Sequence, residues 1–516
     1  MSATEQLAQA VPERATAHHC PPDRRKYVLI VAILASAMGF IDGSVVAVAI
    51  PQMRASLDAS FTQAQWIANS YILTLAALIM IGGAAGDRFG MRRTFGFGVA
   101  AFTVFSLFCA LAWSANSLIG FRAFQGAGAA IMIPGSMALI ALNFPKEERG
   151  RALGIWVAGS SVTTALGPLV GGVLLTYGGP EAWRWIFAFN LPVGLLVLAL
   201  LFQKVPPSRL RDRSQSIDYV GAVLLAATLA TFAVGLSYLG ETEEIRFGLA
   251  LIMVGLALCV VTVLWEHRVQ DPMINPALFR SAAFSGANAL TFLVWAGFSA
   301  IIFFLPMVLI VAWNLPPTYA GGLFLPFSAL IAVISPLAGR LADRFGVRIL
   351  LTIGPAIVAV SYLVLAWAVA EQNYWYGVLS AIIVMGVGIG LCASPVSVAA
   401  VSAVSDDDAG TASGTNNMFA RMSNLFAIAG LGAGVAYAYG LIVRGSSLPT
   451  EIQALMIEAG FGERLTGALY QVSTVELHAV AMNHAMIALC LVTAALSVFG
   501  GLIGWFTQPS HQRLTS

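Results

Sequence analysis

Charge is scarce in this chain: of 516 residues only 10% are Asp, Glu, Lys or Arg, against 58% hydrophobic. That excludes a water-soluble globule, which keeps about a quarter of its residues charged to cover its surface. The 27 basic and 25 acidic residues nearly cancel to a formal +2, so no broad basic field is available for nucleic acid. Cysteine is equally sparse. Four of the five, Cys20, Cys109, Cys259, Cys392 and Cys490, fall inside apolar runs, which excludes a disulfide framework. The six histidines show no metal-ligand spacing, and His478 and His484 read as ordinary interfacial residues. No Gly-rich phosphate loop follows a strand, and no nucleophile stands beside a base. The expectation is a protein that is not an enzyme and needs no cofactor or metal, its energy coming from a gradient.

What the chain has in abundance is long apolar stretches. A membrane-spanning helix needs roughly 20 apolar residues, and fourteen such runs are predicted at 27–49, 63–85, 95–113, 117–140, 152–176, 184–203, 217–238, 247–266, 284–311, 317–338, 349–369, 375–397, 412–440 and 484–507. Basic residues mark every second connection. Arg24, Arg25 and Lys26 come first, then Arg88, Arg92 and Arg93, then Lys146, Arg149 and Arg151, then Lys204, Arg209, Arg211 and Arg213, and later Arg340, Arg344 and Arg348. The other loops carry only scattered Arg54, Arg184, Arg246, Arg444 and Arg464. Since positive loops stay on the cytoplasmic side, both termini are expected there, in a multi-pass protein of the inner (plasma) membrane.

A repeat divides the runs. Gly83-Ala84-Ala85-Gly86-Asp87-Arg88-Phe89-Gly90-Met91-Arg92 returns as Gly339-Arg340-Leu341-Ala342-Asp343-Arg344-Phe345-Gly346-Val347-Arg348, after the second and tenth runs. Two related halves in a membrane chain point to a transporter. The expected organisation is a tail (1–26), a six-helix bundle (27–203), a linker with two inserted helices (204–283), a second six-helix bundle (284–507) and a tail (508–516). Lys204 to Gln215 is the main basic linker. The long outer loop 441–483 has helix-like apolar spacing, and part of it is expected to lie as an amphipathic helix on the outer surface.

Asp42 is the acid that lies well inside a predicted helix, where a charge costs ~2.5–3.5 kcal/mol and is kept for an ion path, a proton relay or a structural pair. Asp42 lies ~12 Å from the outer end of its helix and Arg122 ~8 Å from the outer end of the fourth, so the two can meet at one level. Gln125 follows Arg122 by three positions and shares its face. Two readings stand: a proton-coupling pair whose protonation depends on cavity occupancy, or a permanent salt bridge locking two helices. In the repeated turn, Asp87 is expected to cap the following helix, and Arg88, Arg92 and Arg93, like Asp343 and Arg344 in the second copy, to latch the inner side or simply to fix topology.

These residues resemble a family, the major facilitator superfamily, and within it the fourteen-helix drug:proton antiporter branch of EmrB/QacA type. The stretch Ile41 to Pro51 is similar to the branch's first-helix motif, and Gly83, Asp87, Arg88, Gly90, Arg92 and Arg93 to the superfamily's loop motif. Leu118 to Ala130, containing Arg122, resembles the fourth-helix motif, for which the family implies a role in proton transfer. Gly167, Pro168, Gly171 and Gly172 resemble the antiporter motif of the fifth helix, and close packing of neighbouring helices explains these glycines equally well. Trp183 to Phe187, Asn190 to Gly194, and Gly410 to Gly414 with Asn417 and Arg421 add further matches. The chain departs from the pattern at Ala47, where Asn is usual, and at Thr163, where Gly is expected.

The resemblance implies an all-α polytopic membrane protein with the major facilitator fold, exporting amphipathic drugs or toxic compounds in exchange for protons. Its partners would be a small amphipathic substrate, protons and the lipid bilayer, with a periplasmic adaptor left open. Trp66, Tyr71, Phe124, Gln125, Trp295, Phe298 and Phe419 are candidate cavity residues, able to stack on a planar drug or lipophilic cation. Export of one dedicated metabolite, or a non-transporting receptor or scaffold, are the alternatives.

Overall fold

The computed structural model describes residues 20–206, 218–239, 245–270, 272–405, 409–465 and 469–509. Among them fourteen long helices follow one another without a strand: α1 (Pro22–Leu57), α2 (Phe61–Phe89), α3 (Met91–Ala110), α4 (Ala115–Asn143), α5 (Lys146–Tyr177), α6 (Trp183–Lys204), α7 (Tyr219–Tyr238), α8 (Ile245–Glu266), α9 (Ala282–Ala312), α10 (Pro317–Gly322 running into Phe324–Phe345), α11 (Val347–Ala370), α12 (Tyr374–Ser402), α13 (Ala409–Phe426 running on through Gly432–Arg444) and α14 (Val472–Thr507). Each falls on a predicted run. Among the described residues twelve are long and apolar enough to cross a membrane. The other two, α2 and α5, are 29 and 32 residues long and carry some side chains outside the described ones. Most of the basic linker Lys204 to Gln215, and most of both tails, lie outside the described residues.

The helix pairs of the first bundle recur in the second, shifted by eight. Thus α1 packs on α5 and α6 as α9 does on α13 and α14, while α2 packs on α4 as α10 does on α12, and α3 on α4 as α11 on α12. The repeat reaches single residues. A Cβ on Gly98 would lie 3.1 Å from the carbonyl of Gly128, and one on Gly354 would lie 3.1 Å from that of Gly388. Small residues let backbones approach where lipid supplies no hydrophobic drive between helices.

The two inserted helices, α7 and α8, form a hairpin of their own. Gly235 and Gly248 meet backbone to backbone, Thr228 Oγ1 lies 3.1 Å from Thr262 Oγ1, and Trp265 Nε1 donates to Asp218 at 3.1 Å. Leu225, Leu229 and Ala233 of α7 seat the hairpin against α2 and α13, at the seam between the bundles.

Two expectations about helix ends need correction. The turns after α2 and α10 are made by single glycines, Gly90 at φ +89° and Gly346 at φ +79°, a conformation costly for any residue with a Cβ. The preceding helices therefore run on to Phe89 and Phe345, so Asp87 and Asp343 sit in a last helical turn. The N-cap positions belong to the glycines, and no side chain caps α3 or α11. The final helix begins at Val472 rather than near 484, started by a reciprocal cap between Gln471 and Thr474. The connection between α13 and α14, expected on the outer side, holds the short helix Thr450–Ala459, which buries Met456 against the protein.

Candidate functional site

Asp42 of α1, Arg122 and Gln125 of α4 are each at most 1% exposed, and the fold brings all three together. Arg122 Nη1 pairs with Asp42 Oδ2 and also donates to Gln125 Oε1 at 2.8 Å, while Gln125 Nε2 donates to Asp42 Oδ1 at 3.0 Å. Arg122 Nε donates to the Ile67 carbonyl of α2 at 3.1 Å, and Cys109 Sγ of α3 reaches Gln125 Oε1 at 3.5 Å. The Tyr71 ring lies 4.3 Å from the guanidinium carbon and the Phe187 ring 5.6 Å from it. Both carboxylate oxygens thus have donors, and the buried charge is balanced as a low-dielectric site requires. Glycine makes the approach possible, because a Cβ on Gly126 would sit 2.3 Å from the Tyr71 carbonyl and 2.2 Å from Thr74 Oγ1.

Chemically, the ring joins one titratable carboxyl to a fixed cation and an amide. With Asp42 ionised, the pair neutralises itself and ties α1 to α4. A proton on Asp42 removes that attraction and leaves Arg122 held by Ile67 O and Gln125 alone. Gln125, expected in the cargo cavity, spends its amide within the ring.

The glycines and proline of α5 sit at a crossing. Gly167 and Gly171 face Ile41 and Val45 of α1, with built Cβ atoms at 3.1 Å and 2.1 Å. On the other side a Cβ on Gly172 would be 2.7 Å from the Pro317 carbonyl, and one on Gly321 of α10 would be 2.1 Å from the Pro168 carbonyl. Thr176 Oγ1 and Thr318 Oγ1 are 2.7 Å apart. This is a seal between the bundles at the ends of α5 and α10 assigned to the outer side. Thr163, the departure in this helix, bonds back to the Gly159 and Ser160 carbonyls at 3.1 and 2.9 Å.

The other predicted residues scatter. Trp66 and Phe419 pack together with α7, whereas Phe298 stacks on Phe327, centroids 5.1 Å apart, and Trp295 lines the main core. Phe124 stands apart from the Asp42 ring: it is exposed and stacks on Phe105, in an aromatic strip with Phe108, Phe121 and Trp113. Of the loop motif, Arg88 lies over the Phe89 ring and Arg344 over that of Phe345. Arg92 donates to the Phe202 carbonyl of α6. The side chains of Asp87 and Asp343 lie outside the described residues.

One hub has no signature in the sequence. Arg54, seemingly a scattered outer-loop residue, is 1% exposed and donates to the carbonyls of Phe461, Ala459 and Ala59 at 2.7, 2.9 and 3.1 Å. It also pairs with Glu463 at 2.8 Å, so the first helix grips the α13–α14 connection of the second bundle. His478, expected to be interfacial, is buried instead, with Nδ1 2.7 Å from Tyr439 OH and Nε2 2.9 Å from the Glu463 carbonyl. Arg54's partners Phe461, Ala459 and Glu463 lie some 400 positions away, a relation invisible in one chain's residue pattern.

A two-bundle membrane fold of this kind is that of a transporter, and residues 32–428 match the sequence profile of the Major Facilitator Superfamily. The chain belongs to that superfamily. It is 32% identical to a methylenomycin A resistance protein of Streptomyces coelicolor, over 78% of this chain and 85% of the relative. It is 33% identical to a puromycin resistance protein of Streptomyces alboniger, over 81% and 84%. A multidrug resistance protein of Mycobacterium tuberculosis matches at 32% over 79% and 76%. These relatives agree with the drug-exporter resemblance read from the motifs. Among solved structures, an inward-facing, occupied bacterial homolog of the human lysosomal transporter Spinster superposes with a TM-score of 0.68 at 16% identity, covering 95% of this chain and all of that one, which establishes the fold.

Proposed function

We propose that the protein is a proton-coupled antiporter that exports amphipathic compounds across an inner membrane, with both termini cytoplasmic, no cofactor and no enzymatic activity. The observation that carries this reading is the buried Asp42, both of whose oxygens are bonded by the fourth helix. The resistance and export functions named for the relatives supply the cargo class.

In the cycle we propose, residues 27–203 and 284–507 rock about cargo held between them, with the hairpin of 204–283 riding at their seam. With the α5–α10 crossing closed, cargo enters from the inner side and Asp42 stays paired with Arg122. The crossing then opens and cargo leaves. A proton from the outer side neutralises Asp42, loosens its tie to Arg122 and permits return; release of that proton inside restores the pair. Asp87 and the arginines near it, with their second copy at Asp343 and Arg344, hold the inner side in the outward phase.

The test is gradient-driven uptake of a panel of amphipathic compounds into inverted membrane vesicles, with and without collapse of the pH difference. Uptake that stops when the gradient collapses supports the reading. Uptake indifferent to the gradient, or its absence across a broad panel, rejects it. A periplasmic adaptor is unnecessary for flux in that assay.

A further inference from the structure

We propose that Arg421 of α13 is the cation that receives an acidic group of the cargo, so that the exported compounds include amphipathic acids taken in their anionic form. This rests on the export reading above.

The two bundles spend their central charges differently. Arg122 is fully engaged by Asp42, Gln125 and the Ile67 carbonyl. Arg421 is half-buried, no carboxylate pairs with it among the described residues, and its buried Nε has no acceptor. Tyr71, which covers Arg122, lies within electrostatic reach of Arg421. A cation so removed from water and left without a counter-ion is costly, and a bound anion offsets that cost.

Other polar groups without partners lie along α2 and α13. Asn69 of α2 is 0% exposed, and neither its amide oxygen nor its amide nitrogen has a partner. Gln65, one turn earlier on the same face, is 1% exposed with its Nε2 unpartnered. That nitrogen points at α13, because a Cβ on Gly432 would meet it at 2.0 Å. The Tyr71 hydroxyl and Thr415 Oγ1 are likewise buried and free. Buried donors and acceptors are almost always satisfied, so these unpartnered groups on two helices in contact mark where a ligand or its water belongs. Phe419 and Met422, partly buried within one turn of Arg421, leave apolar surface beside it, while Met418 is buried against α7.

The same accounting argues against a lipophilic cation as the preferred cargo. Asp42, the carboxylate of this depth among the described residues, already has both oxygens bonded. The open charge is positive and lies on the other bundle.

The experiment compares pyrenebutyrate with its methyl ester, reading equilibrium binding by pyrene fluorescence in nanodiscs and gradient-driven uptake in inverted vesicles. The wild type is expected to bind the acid more tightly than the ester. Arg421→Gln should weaken acid binding about tenfold or more and leave ester binding unchanged, and Arg421→Lys should restore part of the loss. Equal acid binding by wild type and Arg421→Gln, both eluting as intact protein, overturns the inference, as does wild-type preference for the ester. Arg421-dependent acid binding without gradient-driven flux supports the anion site while rejecting the export reading, so the two fail separately.

Discussion

Gly321 of α10 gives the sharpest mechanical prediction. Its missing side chain lets α10 rest on α5, and a Cβ there would lie 2.1 Å from the Pro168 carbonyl oxygen, a backbone atom that cannot rotate away. An ordinary carbon–oxygen contact is over 1 Å longer, so Gly321→Ala must part the two bundles at this crossing. Overpacking of this kind costs roughly 1–3 kcal/mol. The helix-propensity gain of alanine is present in both conformations and cancels. Because the clash exists only when the crossing is closed, the whole cost shifts the equilibrium toward the open form by roughly 5- to 150-fold. The assay is a spin-label distance between positions 177 and 376, whose native tyrosines are each 83% exposed, in a background with the exposed Cys259 replaced. Gly321→Ala should lengthen the dominant distance. Gly120→Ala, where a Cβ meets nothing within 4 Å, should leave it alone. An unchanged distribution for Gly321→Ala in well-folded protein would refute the claim that this crossing is the gate.

Other perturbations follow from the same geometry. Gly126→Ala pushes α4 off the Tyr71 carbonyl; it should lower thermal stability by roughly 1–3 kcal/mol and impair transport through displacement of Arg122, measurable by melting and vesicle uptake. Arg54→Ala removes a buried guanidinium, its ion pair with the partly exposed Glu463 and three carbonyl bonds; it should cost roughly 3–5 kcal/mol and expose residues 456–463 to hydrogen exchange. Glu463, outside the membrane helices, behaves less obviously. Burial pushes its carboxyl above the usual carboxylate range despite the opposing pull of Arg54, so the docked loop binds a proton more tightly than the undocked one. Docking should therefore strengthen as pH falls from that raised value to the ordinary carboxylate pKa, and weaken as pH rises back through it. Glu463→Gln should abolish this dependence and dock at least as well at neutral pH, read by exchange corrected for intrinsic rates.

Helix positions were legible because lipid leaves the backbone few options: apolar runs of sufficient length must be helices, and each predicted run is one. The Asp42 and Arg122 meeting was legible for a related reason, since two buried charges at one depth have few partners but each other. Helix ends were harder. The positive-φ turns at Gly90 and Gly346 let α2 and α10 continue past their charged residues, which displaced Asp87 and Asp343 from the expected caps. Individual aromatics were not legible, because Phe124 and Phe298 look alike in a chain that is apolar on every face. Arg54 was missed because its burial is decided by the far end of the chain folding over it, and His478 because a connection 15 residues upstream folds back onto it.

The central claim is that the proton resides on Asp42, and substrate-induced proton release in inverted vesicles tests it most directly. Wild type and Asp42→Asn are compared at matched expression. Asparagine keeps the shape and can still accept from Arg122, so the protein should assemble, while the titratable group is gone. The account predicts proton release from the wild type when a transported compound is added and none from Asp42→Asn. Proton-coupled transport persisting in Asp42→Asn would contradict it and leave the pair with Arg122 as a structural lock.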